Sequence, residues 1–241
     1  MRAVILAGGK GTRLWPYTAV LPKPLVPVGD RPILDFVLTQ LRQAGVTRVT
    51  MAVSHLAHLI MAYFGEGERW GLKIDYSLED KPLSTIAPLK LIRDLPENFF
   101  VMNGDVLTDL DYRALYETHV SRDADITVST FERDTQIDFG VIQTDDSGRV
   151  VGFEEKPVYH FKVSMGVYVM NRRLLEIVPA GQRFGFDDLM YACIREKRNA
   201  VCRPHTGCWL DIGRPHDYEE ANAQIGELEK RLFPQGKPHH P

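Results

Sequence analysis

Short apolar runs and amphipathic stripes take turns along the first half of the chain. Ala3-Val4-Ile5-Leu6 is wholly apolar, the pattern of a strand buried on both faces. From Pro32 to Ala44, the residues Ile33, Leu34, Val37, Leu38 and Leu41 fall on one stripe and Gly45 supplies a stop, which predicts a helix. Val46 to Val53 predicts a strand, His55 to Phe64 a helix ending at Gly65, and Leu72 to Leu78 another strand. A helix over Ala87 to Arg93, starting near Ser84, precedes a buried strand at Phe99 to Met102. Repeated strand, helix, strand order predicts a parallel α/β sheet with right-handed crossovers.

The rhythm changes in the second half. Ile126 to Phe131, Val141 to Thr144, Val150 to Phe153 and Val163 to Val169 read as strands with short connections, and Asp145-Asp146-Ser147-Gly148 as a hairpin turn. Helices return at Arg172 to Val178, Asp187 to Lys197 and Pro215 to Arg231. The expected sheet is therefore mixed. No repeat or low-complexity linker divides it.

Composition narrows the class of protein. The 241 residues are 44% apolar and 25% charged, with a net charge of -3 and both signs interspersed. That balance suits one globular domain and lacks the basic excess of a nucleic-acid surface. No apolar run nears the roughly 20 residues that span a bilayer. Cys193, Cys202 and Cys208 match no zinc or redox spacing, and they read as reduced thiols of a cytoplasmic protein. No signal-peptide layout is expected, since Met1-Arg2 leads straight into a strand. His239 and His240 read as part of a frayed tail.

Candidate chemistry begins directly after the first strand. In Leu6-Ala7-Gly8-Gly9-Lys10-Gly11-Thr12-Arg13-Leu14, closely spaced glycines allow a tight turn whose amides can cradle a polyphosphate. Arg13 adds a planar donor fork for phosphate oxygens. The spacing is neither that of a P-loop nor that of the dinucleotide fingerprint. Lys23 lies between Pro22 and Pro24, a stiff setting that suits a lysine positioned to meet an anion. Asp105 follows a buried strand, at the end that faces the ligand crevice in α/β sheets. Read alone, Asp105 could equally be a turn residue and Asp211 a helix cap before Pro215.

The segment Leu6 to Leu14, followed by Pro16 and Pro22-Lys-Pro-Leu-Val-Pro27, resembles the sugar nucleotidyltransferase family. Asn103-Gly104-Asp105, Phe139-Gly140-Val141, Glu154-Glu155-Lys156-Pro157, Gly166-Val-Tyr168 and Trp209-Leu-Asp211-Ile-Gly213 match the same family in order, over roughly residues 1 to 225. The resemblance implies a Rossmann-like three-layer α/β sandwich with a mixed, mainly parallel central sheet. It implies one domain over residues 1–241: a nucleotide half to about 110, a sugar-phosphate half over about 111–232, and a tail over 233–241. No appended β-helix domain is expected.

The implied reaction joins a nucleoside triphosphate to a sugar 1-phosphate and releases pyrophosphate. Arg13, Lys23 and Asp105 would be catalytic. Leu6, Ala7, Gly8, Gly9, Gly11, Thr12, Arg13, Glu79, Leu83, Ser84, Thr85, Gly104 and Asp105 would bind the nucleotide. Lys23, Asn103, Gly140, Glu155, Lys156, Ser164 and Gly166 would bind the sugar phosphate, and Asp105 and Asp211 would hold Mg2+. The partners are then an NTP and a sugar 1-phosphate, with no nucleic acid and no membrane; homo-oligomer formation is left open.

Two departures stand out. Where relatives commonly read Leu-Gly-Thr-Ala-Gly, this chain has Leu83-Ser84-Thr85-Ile86-Ala87, and Val163-Ser164-Met165-Gly166 stands where Asn-Ala-Gly is common before the strand. Tyr76-Ser-Leu-Glu79 with the later Pro-Leu pairs is most similar to the branch that makes GDP-mannose or GDP-heptose. Thymidylyl and uridylyl transfer to a hexose 1-phosphate, and a catalytically silent nucleotide-sugar-binding subunit, are the alternatives.

Overall fold

The computed structural model describes residues 1–234 and Gly236; His239 and His240 lie outside them. In chain order the strands and helices are β1 (Arg2–Leu6), β2 (Pro27–Val28), β3 (Arg31–Pro32), α1 (Ile33–Gln43), β4 (Arg48–Val53), α2 (Ala57–Phe64), β5 (Lys73–Leu78), β6 (Asn98–Asn103), β7 (Val106–Thr108) and α3 (Tyr112–Ser121). They continue with β8 (Ile126–Gln136), β9 (Val141–Thr144), β10 (Val150–Glu154), β11 (Val158–Asn171), α4 (Phe186–Arg195), β12 (Ala200–His205), β13 (Trp209–Asp211), α5 (Pro215–Ala223) and α6 (Ile225–Leu232).

Seven strands form the central sheet in the order β12-β8-β11-β6-β1-β4-β5. β1 pairs in parallel with β4 and β6, while β11 runs antiparallel between β6 and β8. The apolar run of β1 is explained by its place at the middle. Ala3 and Ile5 enter the core under α1 and α3, while Val4 joins the second core under α4. Two cores on opposite faces make the three-layer sandwich expected from the sequence. Among the described residues, the remaining strands form three two-stranded ladders and no helix is long and apolar enough to cross a membrane.

The helices start and stop for local reasons. α1 follows Pro32 and ends before Gly45, whose φ of 94° is available to glycine at little cost. The Asp111 carboxylate caps α3 by accepting from the Ala114 amide at 2.9 Å. Asp217 reaches back to the Arg214 amide at 2.9 Å and closes the start of α5 behind Pro215.

Several boundaries differ from the sequence pattern. Residues 87–91 and 172–177 form 3-10 turns rather than α-helices. The helix expected over Pro215 to Arg231 breaks at Gln224, which lets Ile225 meet Gly29 while Leu228 and Leu232 turn into the core. α3 and the edge strand β12 were not expected. β8 and β11 also run well beyond their expected ends, pairing from Val158↔Gln136 inward. With the β9–β10 hairpin, these extensions form an exposed arm projecting from the sheet.

Candidate active site

The carboxyl ends of β1, β4, β5 and β6 open into a cleft of about 400 Å³. Such ends are where open α/β sheets hold ligands. Leu6, Ala7, Gly8, Gly9, Gly11, Thr12 and Arg13 form one wall; Glu79, Ser84 and Thr85 form another; Lys23, Asn103, Gly104 and Asp105 stand at the inner end. Ser54 and Gly213 also line it and were not anticipated. Ser54 follows β4, so the strand-end rule could have found it.

The glycine-rich loop is fixed by its neighbours. Gly11 holds a φ of 64°, its carbonyl accepts from the Thr18 hydroxyl at 2.8 Å, and a Cβ there would meet Thr18 Cγ2 at 2.9 Å. Gly8 passes so close to Glu79 that a Cβ would lie 3.0 Å from Oε1. Larger residues at these two positions would collide with Thr18, Glu79 and Ser54 and displace the loop.

Lys23 opens a short 3-10 turn between Pro22 and Pro24, and its ammonium pairs with the Asp105 carboxylate. The other Asp105 oxygen, Oδ1, is buried with no hydrogen-bond partner among the described residues. β13 pairs antiparallel to β7 in the register Asp211↔Val106, which brings Asp211 beside Asp105. Burial pushes the Asp211 carboxyl above the usual carboxylate range; Asp105 pushes it the same way, while Lys23 and Arg13 pull it back. A Cβ on Gly213 would stand 3.6 Å from Asp211 Oδ2 and 3.8 Å from Arg13 Cζ, so these groups share one corner. Among the described residues no cage of three or more metal-ligating side chains forms. Two carboxylates, one with an orphaned oxygen, are instead a partial hard-oxygen donor set. That set fits Mg2+, which keeps waters and takes phosphate oxygens as its remaining ligands.

Glu79 is half-buried, and burial raises its pKa against the opposing pull of the Leu83 amide, which donates to Oε2 at 3.1 Å. Leu83 itself does not line the cleft. Its side chain packs into the second core, because the segment is stitched to the far chain by Phe184 N donating to Leu83 O at 3.0 Å. Its contribution is the amide that orients Glu79. Ser84 has a φ of 74°, a left-handed backbone that glycine would adopt at less cost. Thr85 accepts from the Phe186 amide at 2.9 Å.

The structure does not bring the acceptor-side residues to the cleft in the same way. Gly140, Glu155 and Lys156 lie exposed on the arm, where a Cβ on Gly140 would stand 3.2 Å from Glu155 Oε2. Ser164 lies at the root of the arm, its hydroxyl 3.1 Å from the Tyr168 hydroxyl and accepting from the Gly166 amide at 3.3 Å. Gly166, at a φ of 76°, is pressed against Asn103, so these two do meet. Trp209 donates to Met165 O at 3.1 Å and packs on Phe131, with Arg133 4.9 Å above its ring. Arg133 carried no sequence signal.

Comparison with known proteins adds an independent line. Residues 2–227 match the family model described as "Nucleotidyl transferase". The UTP–glucose-1-phosphate uridylyltransferase of Synechocystis is 32% identical over 96% of this chain and 67% of its own length. The D-glycero-alpha-D-manno-heptose 1-phosphate guanylyltransferase of Aneurinibacillus thermoaerophilus is 33% identical over 93% of this chain and 98% of its own. Mannose-1-phosphate guanylyltransferases match at 31 to 33% identity, and this chain spans 60 to 64% of their length. In structure, HddC from Yersinia pseudotuberculosis complexed with GMP-PN superposes with a TM-score of 0.72 at 27% identity, over 93% of this chain and 99% of that one.

Proposed function

The chain belongs to the nucleotidyl transferase family, and from that premise we propose that it transfers a guanylyl group from GTP to a mannose- or heptose-type sugar 1-phosphate, forming a GDP-sugar and pyrophosphate. The observation that carries the reading is the cleft itself. A glycine-rich wall leads to Arg13 and Lys23, and these cations face Asp105 and Asp211 across one corner.

Guanine is favoured by Glu79. A carboxylate is an acceptor-only group, and guanine offers adjacent N–H donors where uracil and thymine offer one. A relative matched over 93% of this chain and 98% of its own length is a heptose 1-phosphate guanylyltransferase, which supports the same base and a heptose acceptor. The uridylyltransferase relative keeps UTP as the second reading.

The chemistry follows from placement. The backbone from Gly8 to Thr12 cradles the β- and γ-phosphates and Arg13 neutralises the departing pyrophosphate. Lys23 meets the α-phosphate where the acceptor's phosphate oxygen attacks in line, offsetting the repulsion between two anions. Asp105 and Asp211 would hold Mg2+, which, when bound, draws charge from the triphosphate oxygens. Asn103 and Gly166, with Ser164, Gly140, Glu155 and Lys156 from the arm, would bind the sugar phosphate. The buried Cys193 thiol, pushed by burial to about 11, is unreactive and takes no part in this chemistry.

The test is pyrophosphate release from GTP, UTP, dTTP, ATP and CTP against mannose, heptose and glucose 1-phosphates, with Mg2+ and with chelator. Release with GTP and a mannose- or heptose-type acceptor, abolished by chelation, is expected. Release only with UTP or dTTP overturns the base assignment, and no release across the set overturns the reaction.

A further inference from the structure

Asp105 and Asp211 reach their shared corner by different means. Asp105 follows a buried central strand and is paired with Lys23. Among the described residues no hydrogen bond or ion pair holds the Asp211 carboxylate; Asp105, Lys23 and Arg13 act on it through charge alone. Its place is therefore set by its backbone. That backbone is β13, three residues long and paired to β7 in the register Trp209↔Thr108, Leu210↔Leu107, Asp211↔Val106. A ladder so short is marginal by itself. Side chains alternate along a strand, so a slip of one residue would turn Asp211 to the other face.

The end of the ladder away from Asp105 carries the restraint. There β12 passes into β13 through Thr206, Gly207 and Cys208. Asp109, directly after β7, grips both sides of this turn with one oxygen. Its Oδ1 accepts from the Cys208 amide at 2.6 Å, and His205 Nε2 stands 2.8 Å from the same atom. The Cys208 carbonyl is held too: the Thr108 hydroxyl donates to it at 2.7 Å and the Asp109 amide at 3.3 Å. A Cβ on Gly207 would overlap Asp109 Oδ1 and stand 2.8 Å from Cγ, so the turn lies directly on the carboxylate. Bonds to an ionised acceptor are the strong ones. His205 in turn ends β12, which pairs with β8 from Ala200↔Ile126 to His205↔Phe131. Asp109 thus ties the short ladder to the central sheet. The Trp209 ring is bonded as well, to Met165 O at 3.1 Å, but a long side chain can follow a slipped backbone where an amide cannot. Asp109 itself does not line the donor cleft.

We infer that Asp109 is a positioning residue for the metal-binding carboxylate: by fixing the turn from His205 to Cys208 it holds the register of β13 on β7, and with it Asp211 beside Asp105. The inference rests on the proposed transferase reading, in which Asp105 and Asp211 together receive Mg2+. Outer groups that orient metal ligands carry a factor of about 10 to 100 in metal affinity or activity. Loss of this clamp weakens the cation site while the glycine-rich wall keeps its contacts with the nucleotide.

The experiment reads the Mn2+ affinity of the full chain, loaded with a non-hydrolysable GTP analogue, by electron paramagnetic resonance. No sugar phosphate is added, so no turnover is involved. Asp109→Ala should bind Mn2+ about tenfold more weakly than the wild type, with the metal-free affinity for the analogue within about twofold. Asp109→Asn keeps an acceptor for the Cys208 amide and should recover most of the loss. If Asp109→Ala fails to fold by circular dichroism, Gly207→Ala decides, since its methyl displaces the same carboxylate from an exposed turn position and should weaken Mn2+ binding in the same direction. In turnover, the Mg2+ concentration for half-maximal rate should rise about tenfold in Asp109→Ala, with kcat recovering at saturating Mg2+. Wild-type Mn2+ affinity in folded Asp109→Ala or in Gly207→Ala overturns the inference. So does a kcat lowered at every Mg2+ concentration with an unmoved midpoint, the mark of a merely structural role, and so does a wild type that binds no Mn2+. A wild type that binds Mn2+ with the analogue, and loses it in these variants, but releases no pyrophosphate would count against the reaction alone.

Discussion

Asp105 and Lys156 are both charged groups offered to phosphate chemistry, yet their surroundings are opposite. Asp105 is half-buried at the end of a central strand, paired to Lys23 and neighboured by Asp211. Lys156 is exposed at the end of a hairpin, at a φ of 47°, and does not line the cleft. The donor cleft is held by the sheet and both cores. Of the groups proposed for the acceptor, Gly140, Glu155 and Lys156 are held by the exposed arm, while Asn103 and Gly166 meet beside the cleft. The difference teaches that the donor half of the proposed reaction is held by the sheet, while part of the acceptor half lies on the exposed arm.

Substitutions in the two regions should therefore fail differently. Lys23→Ala removes a fixed cation at the reacting centre and should lower kcat by about three orders of magnitude with the fold intact; stopped kinetics and circular dichroism check both points. Lys156→Ala should act on the acceptor only, raising KM for the sugar 1-phosphate about 10- to 100-fold, the worth of one charge-assisted hydrogen bond, with the nucleotide KM unchanged. A fall in kcat as large as that of Lys23→Ala would erase the contrast. Glu79→Gln exchanges an acceptor pair for an acceptor and a donor, and should reduce the preference for GTP over UTP about tenfold in kcat/KM. The smallest effect concerns the wall around it. Ser84→Gly should relieve the left-handed strain and raise stability by about 1 kcal/mol, read as a modest rise in Tm, with base preference unaltered.

Much of the donor side was legible because its residues are contiguous in sequence and follow apolar strands. Leu6 to Arg13 and Asn103 to Asp105 each sit at the end of a run that announces a buried strand. The meeting of Asp211 with Asp105 was not readable from spacing, since it depends on the three-residue pairing of β7 with β13. The Leu83 side chain lies in the second core and only its amide reaches Glu79, a distinction that a pattern of residues does not carry. α3 escaped because only Tyr112, Leu115 and His119 of its ten residues are buried, too sparse a stripe to stand out. β12 escaped because Pro204 and its polar residues suit only an edge strand. The arm's full length was hidden by Glu132, Arg133 and Asp134, which end the apolar run although the ladder continues.

The contrast between the two regions has a direct thermodynamic signature. Calorimetric titration of the free protein with a non-hydrolysable GTP analogue and Mg2+ should show micromolar binding without any sugar phosphate. Titration with mannose or heptose 1-phosphate alone should show none at the same concentrations, and binding should emerge once the nucleotide site is filled. Tight binding of the sugar phosphate to the free protein, or no binding of the nucleotide without it, would contradict a preformed donor cleft facing an acceptor site still to be assembled.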